Sequence, residues 1–207
     1  MTGVDKSVRI RFRKLPQQER SVQRLEAILE AARELIVEKG IVDMKMTDLA
    51  VRAGVPIGSL YQFFPEKAAV ARALFERQSA ITLANLELRL AGIADADEMV
   101  DTVCAMLDLN YQLHRNDPLP MALWTASMID KDLVKMHAAY SEGMAAIFRS
   151  ALEKFLPKQA VDQMAARSIL FTNLTGTTLR LAVSQDEVMG RQMIEEWKYV
   201  VRQLLLR

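Results

Sequence analysis

Residues 46–67 read MTDLAVRAGVPIGSLYQFFPEK, and this stretch predicts two short helices joined by a tight turn. The first helix is expected over residues 47–53. Gly54 follows it with the positive φ that a tight turn requires, since glycine has no side chain to oppose that conformation. Pro56 then presets the first turn of a second helix, expected over residues 57–64. The stretch therefore predicts a compact pair of helices that cross at a glycine.

The second of these helices divides its side chains between two sides. Leu60 and Phe64 are four residues apart, so they face inward together. The remaining side chains give a mixed polar and aromatic set, divided between partial burial and the outer surface: Ile57, Ser59, Tyr61, Gln62 and Phe63. Two small helices with such an outer face match the helix-turn-helix layout, whose second helix enters the major groove of DNA.

The distribution of charge supports a nucleic-acid partner, although the net charge of +1 does not. Residues 1–67 carry 12 Lys or Arg against 9 Asp or Glu, whereas the remainder carries 15 against 17. Within residues 1–24 the count is 7 basic against 2 acidic. Residues 1–15 show no clear period and are expected to form a flexible basic arm. This arm is either a phosphate or minor-groove contact or an ordinary solubilising tail.

Composition indicates a helical chain in a reducing compartment. Of the 207 residues 51% are apolar, with abundant Ala, Leu and Met and few aromatic residues, which favours helix over sheet. The long uncharged runs at residues 118–129 and 168–179 are twelve residues each and too short to cross a bilayer. The single cysteine, Cys104, permits no internal disulfide. We expect a cytoplasmic protein without a membrane partner.

Helical periodicity predicts an all-α fold of about nine helices in two domains. Residues 16–66 form a three-helix helix-turn-helix domain, whose first helix ends at Gly40. Residues 67–207 form a second helical domain. Its helices are predicted over 67–91, 95–115, 119–128, 131–155, 157–183 and 184–207. Two of them have capping patterns at their starts, Asp95 with Glu98 and Ser184 with Glu187.

The run AGVPIGSLYQFFPEKAAV, residues 53–70, resembles the N-terminal signature of the TetR/AcrR family of bacterial transcription regulators. The matching positions are Ala53, Gly54, Val55, Gly58, Ser59, Leu60, Tyr61, Phe64 and Lys67. The resemblance covers roughly residues 20–75, and beyond that only length and helical pattern agree. It implies a sequence-specific DNA-binding regulator, most often a repressor that binds a palindromic operator as a dimer and is released by a small-molecule effector. A ligand-independent regulator, an activator or a helical adaptor protein are the alternatives.

The residues expected to contact double-stranded operator DNA are Lys45, Thr47, Ile57, Gly58, Ser59, Tyr61, Gln62 and Lys67. Gln62 is assigned to a base, because its amide can bond an adenine edge in two places. The resemblance assigns Tyr61 and Lys67 to phosphates, with partial burial and plain solvation as the respective alternatives. Family members often have threonine where Lys45 stands, so Asp43 or Thr47 is expected to cap the first short helix instead.

The last two helices carry broad apolar faces, which the resemblance assigns to a homodimer interface. The expected contact residues are Ile169, Gly176, Thr177, Arg180, Ile194, Trp197, Val201 and Leu204. Intramolecular core is the alternative for these faces.

Methionine and aromatic side chains in the middle helices are the candidates for an effector pocket, since they line adaptable apolar cavities well. They are Met106, Tyr111, Met121, Trp124, Met128, Tyr140 and Phe171, with Asn173 as a polar neighbour. The expected effector is an apolar small molecule, and plain core is the alternative for each residue.

The sequence gives little support to an enzyme. It contains only two histidines, His114 and His137, no HExxH and no glycine-rich phosphate loop. The histidines and Cys104 lie far apart without metal-ligand spacing. We therefore expect no catalytic residues, no metal and no cofactor.

Overall fold

The computed structural model describes residues 17–128, 130–154 and 158–205. Within these ranges the chain folds into nine helices and no strand, which confirms the all-α prediction. The helices are α1 (Gln17–Asp43), α2 (Met46–Arg52), α3 (Ile57–Phe63), α4 (Lys67–Ala91), α5 (Ala96–Asn116), α6 (Leu119–Ser127), α7 (Lys131–Leu152), α8 (Lys158–Val183) and α9 (Glu187–Leu205). None of the described helices is both long and apolar enough to cross a membrane. The basic arm predicted over residues 1–15 lies outside the described residues.

Two glycines make the turns of the N-terminal unit. Gly40 interrupts α1 with φ of 79° and ψ of 163°, so the regular helix ends where the sequence predicts and a short helical turn follows. Gly54 has φ of 65° after α2, and the amide of Val55 donates to the carbonyl of Ala50 at 3.0 Å. Both glycines adopt a backbone conformation that is costly for other residues, which explains their positions.

The start of α2 differs from the prediction. The residue before its first turn is Lys45, in an extended conformation, and no side chain caps the helix. Asp43 and Thr47 are therefore not caps. A cap must occupy the position directly before the helix, and here that residue is a lysine, which has no acceptor atom.

The two predicted capping patterns of the C-terminal domain have different outcomes. Asp95 caps α5, because its carboxylate accepts a bond from the amide of Glu98 at 2.9 Å. At α9 the cap is Asp186, which accepts from the amide of Met189 at 3.0 Å. Ser184 instead donates its hydroxyl to the carbonyl of Leu181 at 2.8 Å. The predicted cap at Ser184 was wrong because α9 begins two residues later than the pattern suggests.

The hydrophobic core of the N-terminal unit extends well beyond residue 66. It contains the buried side chains of α1 to α3 and the first half of α4, and also buried residues of α6 and of the first turn of α7. Leu119 and Leu123 of α6 and Leu133 of α7 are 1 to 3% exposed in this cluster. Helix α6 therefore packs against α1 as part of the core of the DNA-binding unit.

A second core lies among α4, α5, α7, α8 and α9. Leu86 and Leu90 of α4 and Met99 of α5 are almost fully buried in it. The ring of Phe148 meets that of Phe171 edge to face, with centroids 5.2 Å apart. Helix α4 contributes to both cores, so it connects the two ends of the molecule as one rigid element.

Candidate nucleic-acid interface

Helix α3 separates an anchored side from a solvent-facing side. Leu60 is fully buried and Phe64, directly after the helix, is 6% exposed. On the opposite side Tyr61 is 49% and Ile57 is 41% exposed, and Gln62 is also exposed. The buried pair holds the helix against α1 and α2 while the others remain free to contact a ligand. This is the division that a recognition helix requires.

A groove of about 370 Å³ runs beside this helix. It is lined by Arg20, Gln23, Arg24 and Ala27 of α1 and by Ala53, Gly54, Val55, Pro56 and Ser59 of the turn and α3. The half-buried Ser59 therefore lines the same groove as two arginines. Helix α1 thus adds positive charge next to the turn, where DNA phosphates would pass.

The predicted contacts at the start of α2 are accessible. Lys45 and Thr47 are both exposed. The neighbouring carboxylate of Asp48 accepts a hydrogen bond from Lys39 at 2.9 Å, which lowers the pKa of Asp48. Lys45 makes no ion pair within the described part of the chain, although its charge also contributes to the lowered pKa of Asp48.

Lys67, the first residue of α4, is half-buried. Its Nζ donates to the carbonyl of Val42 at 2.6 Å, near the end of α1. This bond holds the ammonium group between α1 and α4 and uses one of its three N–H donors. Lys67 is therefore a positioned lysine rather than a freely solvated one, and the remaining donors can face a phosphate.

Two charged contacts that the sequence analysis did not identify connect the DNA-binding unit to the helices behind it. Arg33 of α1 pairs with Asp117, just before α6, at 2.6 Å. Arg72 of α4 pairs with Glu66 at 2.7 Å and with Asp130, the N-cap of α7, at 3.4 Å. No local pattern predicts these contacts, because Arg33 and Asp117 are 84 residues apart.

The outer faces of α8 and α9 expose many large apolar side chains. They are Ile169, Leu170, Leu174, Leu181, Val188, Met189, Tyr199 and Val200, which are 38 to 69% exposed. A groove of about 520 Å³ lies on this side, lined by Thr178, Met189, Gln192, Met193, Glu196, Trp197 and Val200. An extended apolar surface of this kind is typical of a site that another protein covers.

The structure corrects two of the residues predicted for the dimer interface. Ile194 is 1% exposed and Val201 is fully buried, both in the second core. Their faces of α9 point toward α5 and α8 of the same chain, so they cannot also meet a partner. Ile169 and Thr177 are exposed, whereas Gly176 and Arg180 are half-buried. The side chain of Leu204 lies outside the described residues.

Trp197 makes its hydrogen bond and its ring contact inside the chain, and one edge of its side chain reaches the surface. Its Nε1 donates to Thr175 Oγ1 at 3.0 Å, and its ring stacks on Phe171 with centroids 6.3 Å apart. It also lines the groove on α8 and α9. Trp197 therefore orients the two helices and contributes only its edge to the outer face.

The predicted effector residues are distributed over three environments. Tyr140 packs against the first core, with its ring 6.1 Å from that of Phe75. Met106, Tyr111 and Phe171 belong to or pack against the second core. The others lie nearer the surface: Met121 and Trp124 are half-buried, Met128 is 64% exposed, and the exposed Asn173 donates to the carbonyl of Ile169 at 2.8 Å.

The helix-turn-helix unit, the shared core and the apolar face of α8 and α9 define the class of protein, a helical DNA-binding regulator. Residues 28–74 match the family model described as "Bacterial regulatory proteins, tetR family". Residues 97–207, more than half of the chain, match the model "Tetracyclin repressor-like, C-terminal domain". The chain belongs to the TetR family of transcriptional regulators, which confirms the resemblance in the N-terminal signature.

Individual relatives agree with this assignment. An uncharacterized HTH-type transcriptional regulator from Bacillus subtilis strain 168, YvdT, is 27% identical over 144 residues, which cover 70% of this chain and 71% of that protein. A TetR-family regulator from Streptomyces coelicolor has a TM-score of 0.67 at 24% identity, covering 88% of this chain and 95% of its own. The regulator FadR from Bacillus subtilis, solved with stearoyl-CoA, has a TM-score of 0.62 at 18% identity, covering 87% and 97%.

Proposed function

We propose that this regulator is a cytoplasmic repressor that binds a palindromic operator as a homodimer and leaves it when a small-molecule effector binds behind the DNA-binding unit. The observation that carries the proposal is the exposed face of α3 on a unit whose core is shared with α6. One end of that core presents side chains to DNA, and the other end belongs to the C-terminal domain.

In the DNA-bound state Gln62 reads a base edge from the exposed side of α3. Tyr61 and Lys67 contact phosphates, and Lys45 and Thr47 add a contact at the start of α2. Ile57 lies where a thymine methyl group would pass, Gly58 lets the backbone approach closely, and Ser59 faces the groove beside α1. The bond from Lys67 to the carbonyl of Val42 supports its part of this arrangement, because it orients the ammonium group before DNA arrives.

Dimerisation through α8 and α9 accounts for the apolar residues that these helices expose. A two-fold dimer places two copies of α3 at a fixed spacing, which corresponds to the half-sites of a palindrome. The exposed set that includes Leu174, Leu181 and Val200 supports this surface, whereas Ile194 and Val201 support it only by holding α9 in place.

Release follows from a change in the position of α6. An effector that prefers one arrangement of α6 also selects one arrangement of α1, because the two helices share a core and the ion pair between Arg33 and Asp117. Two structural neighbours were solved with small molecules, FadR with stearoyl-CoA and SmeT with triclosan, which supports an effector site in this fold.

Selection of bound fragments from a random pool of double-stranded DNA tests the proposal. We expect a palindromic consensus bound by two chains, and then release of the selected fragment by particular members of a compound library. A consensus without two-fold symmetry, or binding by a monomer, would contradict the dimeric operator. Transcription from a promoter that carries the selected site distinguishes a repressor from an activator.

A further inference from the structure

The guanidinium group of Arg180, in α8, covers the indole ring of Trp124, in α6. The Cζ atom of Arg180 lies 4.4 Å from the ring centroid, within the range of a cation–π contact. Arg180 is half-buried here, and burial lowers its pKa below the ordinary value of an arginine. A cation is therefore held at the junction of two helices of the C-terminal domain, partly removed from water.

No carboxylate in the described part of the chain pairs with this cation. Among the described residues Arg180 makes no ion pair, and its Nη2 donates only to the hydroxyl of Thr177, at 2.9 Å. Arg33 and Arg72 differ, since each has a carboxylate within 2.7 Å. A guanidinium group has five N–H donors, so most donors of Arg180 are free for another partner.

The other titratable groups near Arg180 do not supply the missing negative charge. Burial and the positive charge of Arg180 lower the pKa of His137, and burial lowers that of His114, to which Arg180 also contributes. Both rings are therefore neutral near pH 7. The acidic group close to His114 is Asp117, which is already paired with Arg33 at 2.6 Å. Neither the histidines nor Asp117 therefore balance the charge of Arg180.

The guanidinium group also lies close to a glycine of its own helix. A Cβ atom added at Gly176, one turn before Arg180 in α8, would lie 3.2 Å from Nη1 of Arg180. That distance is closer than ordinary van der Waals contact, so a larger residue would press on the guanidinium group. The guanidinium group of Arg180 therefore lies against the indole ring of Trp124 and close to the backbone of Gly176, where α8 meets α6.

We propose that Arg180 binds the anionic head of the effector, a carboxylate or a phosphate, while the apolar body of that molecule lies against Trp124. An unpaired, half-buried guanidinium group favours an anion strongly, because a bidentate, charge-assisted pair restores the interaction that burial removes. The inference rests on the proposed function, since it assigns the effector to this region. It changes the expected class of effector from an apolar molecule to an amphipathic anion.

This site also connects to the DNA-binding unit. Trp124 belongs to α6, whose Leu119 and Leu123 are buried in the core that α1 to α3 share. An anion that draws Arg180 away from the indole ring removes a contact between α8 and α6. Helix α6 is then free to move relative to α1, which is the change that release from DNA requires.

Trp124 is a direct reporter for the test, because the chain contains only two tryptophans. In a Trp197→Phe background, octanoate, octyl phosphate, octan-1-ol and octylamine are titrated separately while the fluorescence of Trp124 is recorded. We expect octanoate or octyl phosphate to bind at least about tenfold more tightly than octan-1-ol, with no response to octylamine. The comparison of the two anions identifies the preferred head group. Calorimetric titration of the wild-type chain keeps the result independent of Trp197→Phe.

Arg180→Gln should reduce the anion-to-alcohol preference to about one. The control is Arg167→Gln, which removes an exposed arginine of the same helix and should leave the preference unchanged. Equal binding of octanoate, octyl phosphate and octan-1-ol, or no saturable response to either anion, would overturn the inference. So would an undiminished preference in Arg180→Gln.

The DNA experiment separates this inference from the proposed function. If the chain binds its selected operator but no anion, the inference alone fails. If an anion binds through Arg180 and does not change operator affinity, the anion site is confirmed. Its proposed role in release from DNA is then wrong.

Discussion

Arg33 Nη2 lies 2.6 Å from Asp117 Oδ2, and this ion pair joins the first helix of the DNA-binding unit to the start of α6. Asp117 also accepts a bond from the amide of Leu119 through its other oxygen, at 3.0 Å. The arginine and aspartate side chains are 41% and 32% exposed, so water screens the attraction and its contribution to stability is only about 0.2–1 kcal/mol. The pair matters more for the relative position of α1 and α6.

The first prediction concerns this pair. In a double-mutant cycle of Arg33→Gln and Asp117→Asn, we expect a coupling below about 1 kcal/mol in chemical unfolding. An effector changes the free energy of operator binding, and this change should differ between the variants and the wild type by about 0.5–2 kcal/mol. Fluorescence anisotropy with labelled operator measures it. Removing the pair of Glu187 and Arg191, which lies within α9, is the control. If removing that control pair alters the response of operator affinity to the effector by the same amount, Arg33 has no specific role.

Gln62→Ala should relax the preference for one base pair in each half-site, at a cost of about 1–3 kcal/mol for the preferred base. The physical reason is the loss of two hydrogen bonds from an exposed side chain that supports no part of the core. Repeating the DNA selection with the variant measures the change. Gln112→Ala, an exposed glutamine in α5, is the control. A selection profile for Gln62→Ala that matches the wild type would show that another residue reads the base.

Lys67→Ala should weaken binding to all DNA sequences alike and reduce the slope of log K against log salt by about 0.9, since one phosphate contact is lost. Lys135→Ala, which removes an exposed lysine of α7, is the matched control and should leave the slope unchanged. Binding isotherms at several salt concentrations provide the measurement. A slope that stays the same in Lys67→Ala would mean that the lysine serves only its bond to the carbonyl of Val42.

Two positions of α9, one exposed and one buried, should separate dimerisation from folding. Val200→Asp places a charge on the exposed face and should give a monomer that retains its helical content. Ile194→Ala removes a side chain that is 1% exposed, and should lower the free energy of unfolding by about 2–5 kcal/mol. Analytical ultracentrifugation and circular dichroism measure the two effects. A Val200→Asp chain that still sediments as a dimer would move the interface away from this face.

Stability should fall as the pH drops below about 6.5. Burial, with the charge of Arg180, holds the pKa of His137 below its ordinary value of 6.5. Below pH 6.5 the imidazole of His137 therefore takes up a proton in the unfolded chain but not in the folded chain. Each unit by which the two pKa values differ lowers the free energy of unfolding by about 1.4 kcal/mol at low pH. Above that pH both states are neutral and the contribution vanishes.

His137→Phe should reduce this pH dependence while keeping the ring contacts with Phe75 and Tyr140, which lie 6.1 and 6.3 Å away. Urea unfolding at pH 7.5 and 5.5 measures the difference in free energy. His114, the pKa of which burial also lowers, supplies a remaining dependence. An identical loss of stability in the wild type and in His137→Phe would show that His137 titrates normally in the folded chain.

Local sequence determined the DNA-binding stretch. Gly54, Leu60 and Phe64 specify the turn and the buried side of α3 through backbone preference and helical spacing, which act within a few residues. The exposed positions of Tyr61 and Gln62 follow from the same spacing. The number and approximate limits of the helices also follow from local signals. The start of α9 was misjudged because Ser184 and Asp186 are both suitable caps and lie two residues apart.

Only the tertiary structure decided which surfaces the helices share. Periodicity shows that α9 has apolar sides, but hydrophobic burial has no direction, so it does not say whether Val201 or Val200 meets the chain itself. The crossing of α9 with α5 and α8 places Val201 inside and leaves Val200 outside. In the same way, residues distant in sequence meet only because the helices pack. This holds for Arg33 with Asp117 and for Arg180 with Trp124.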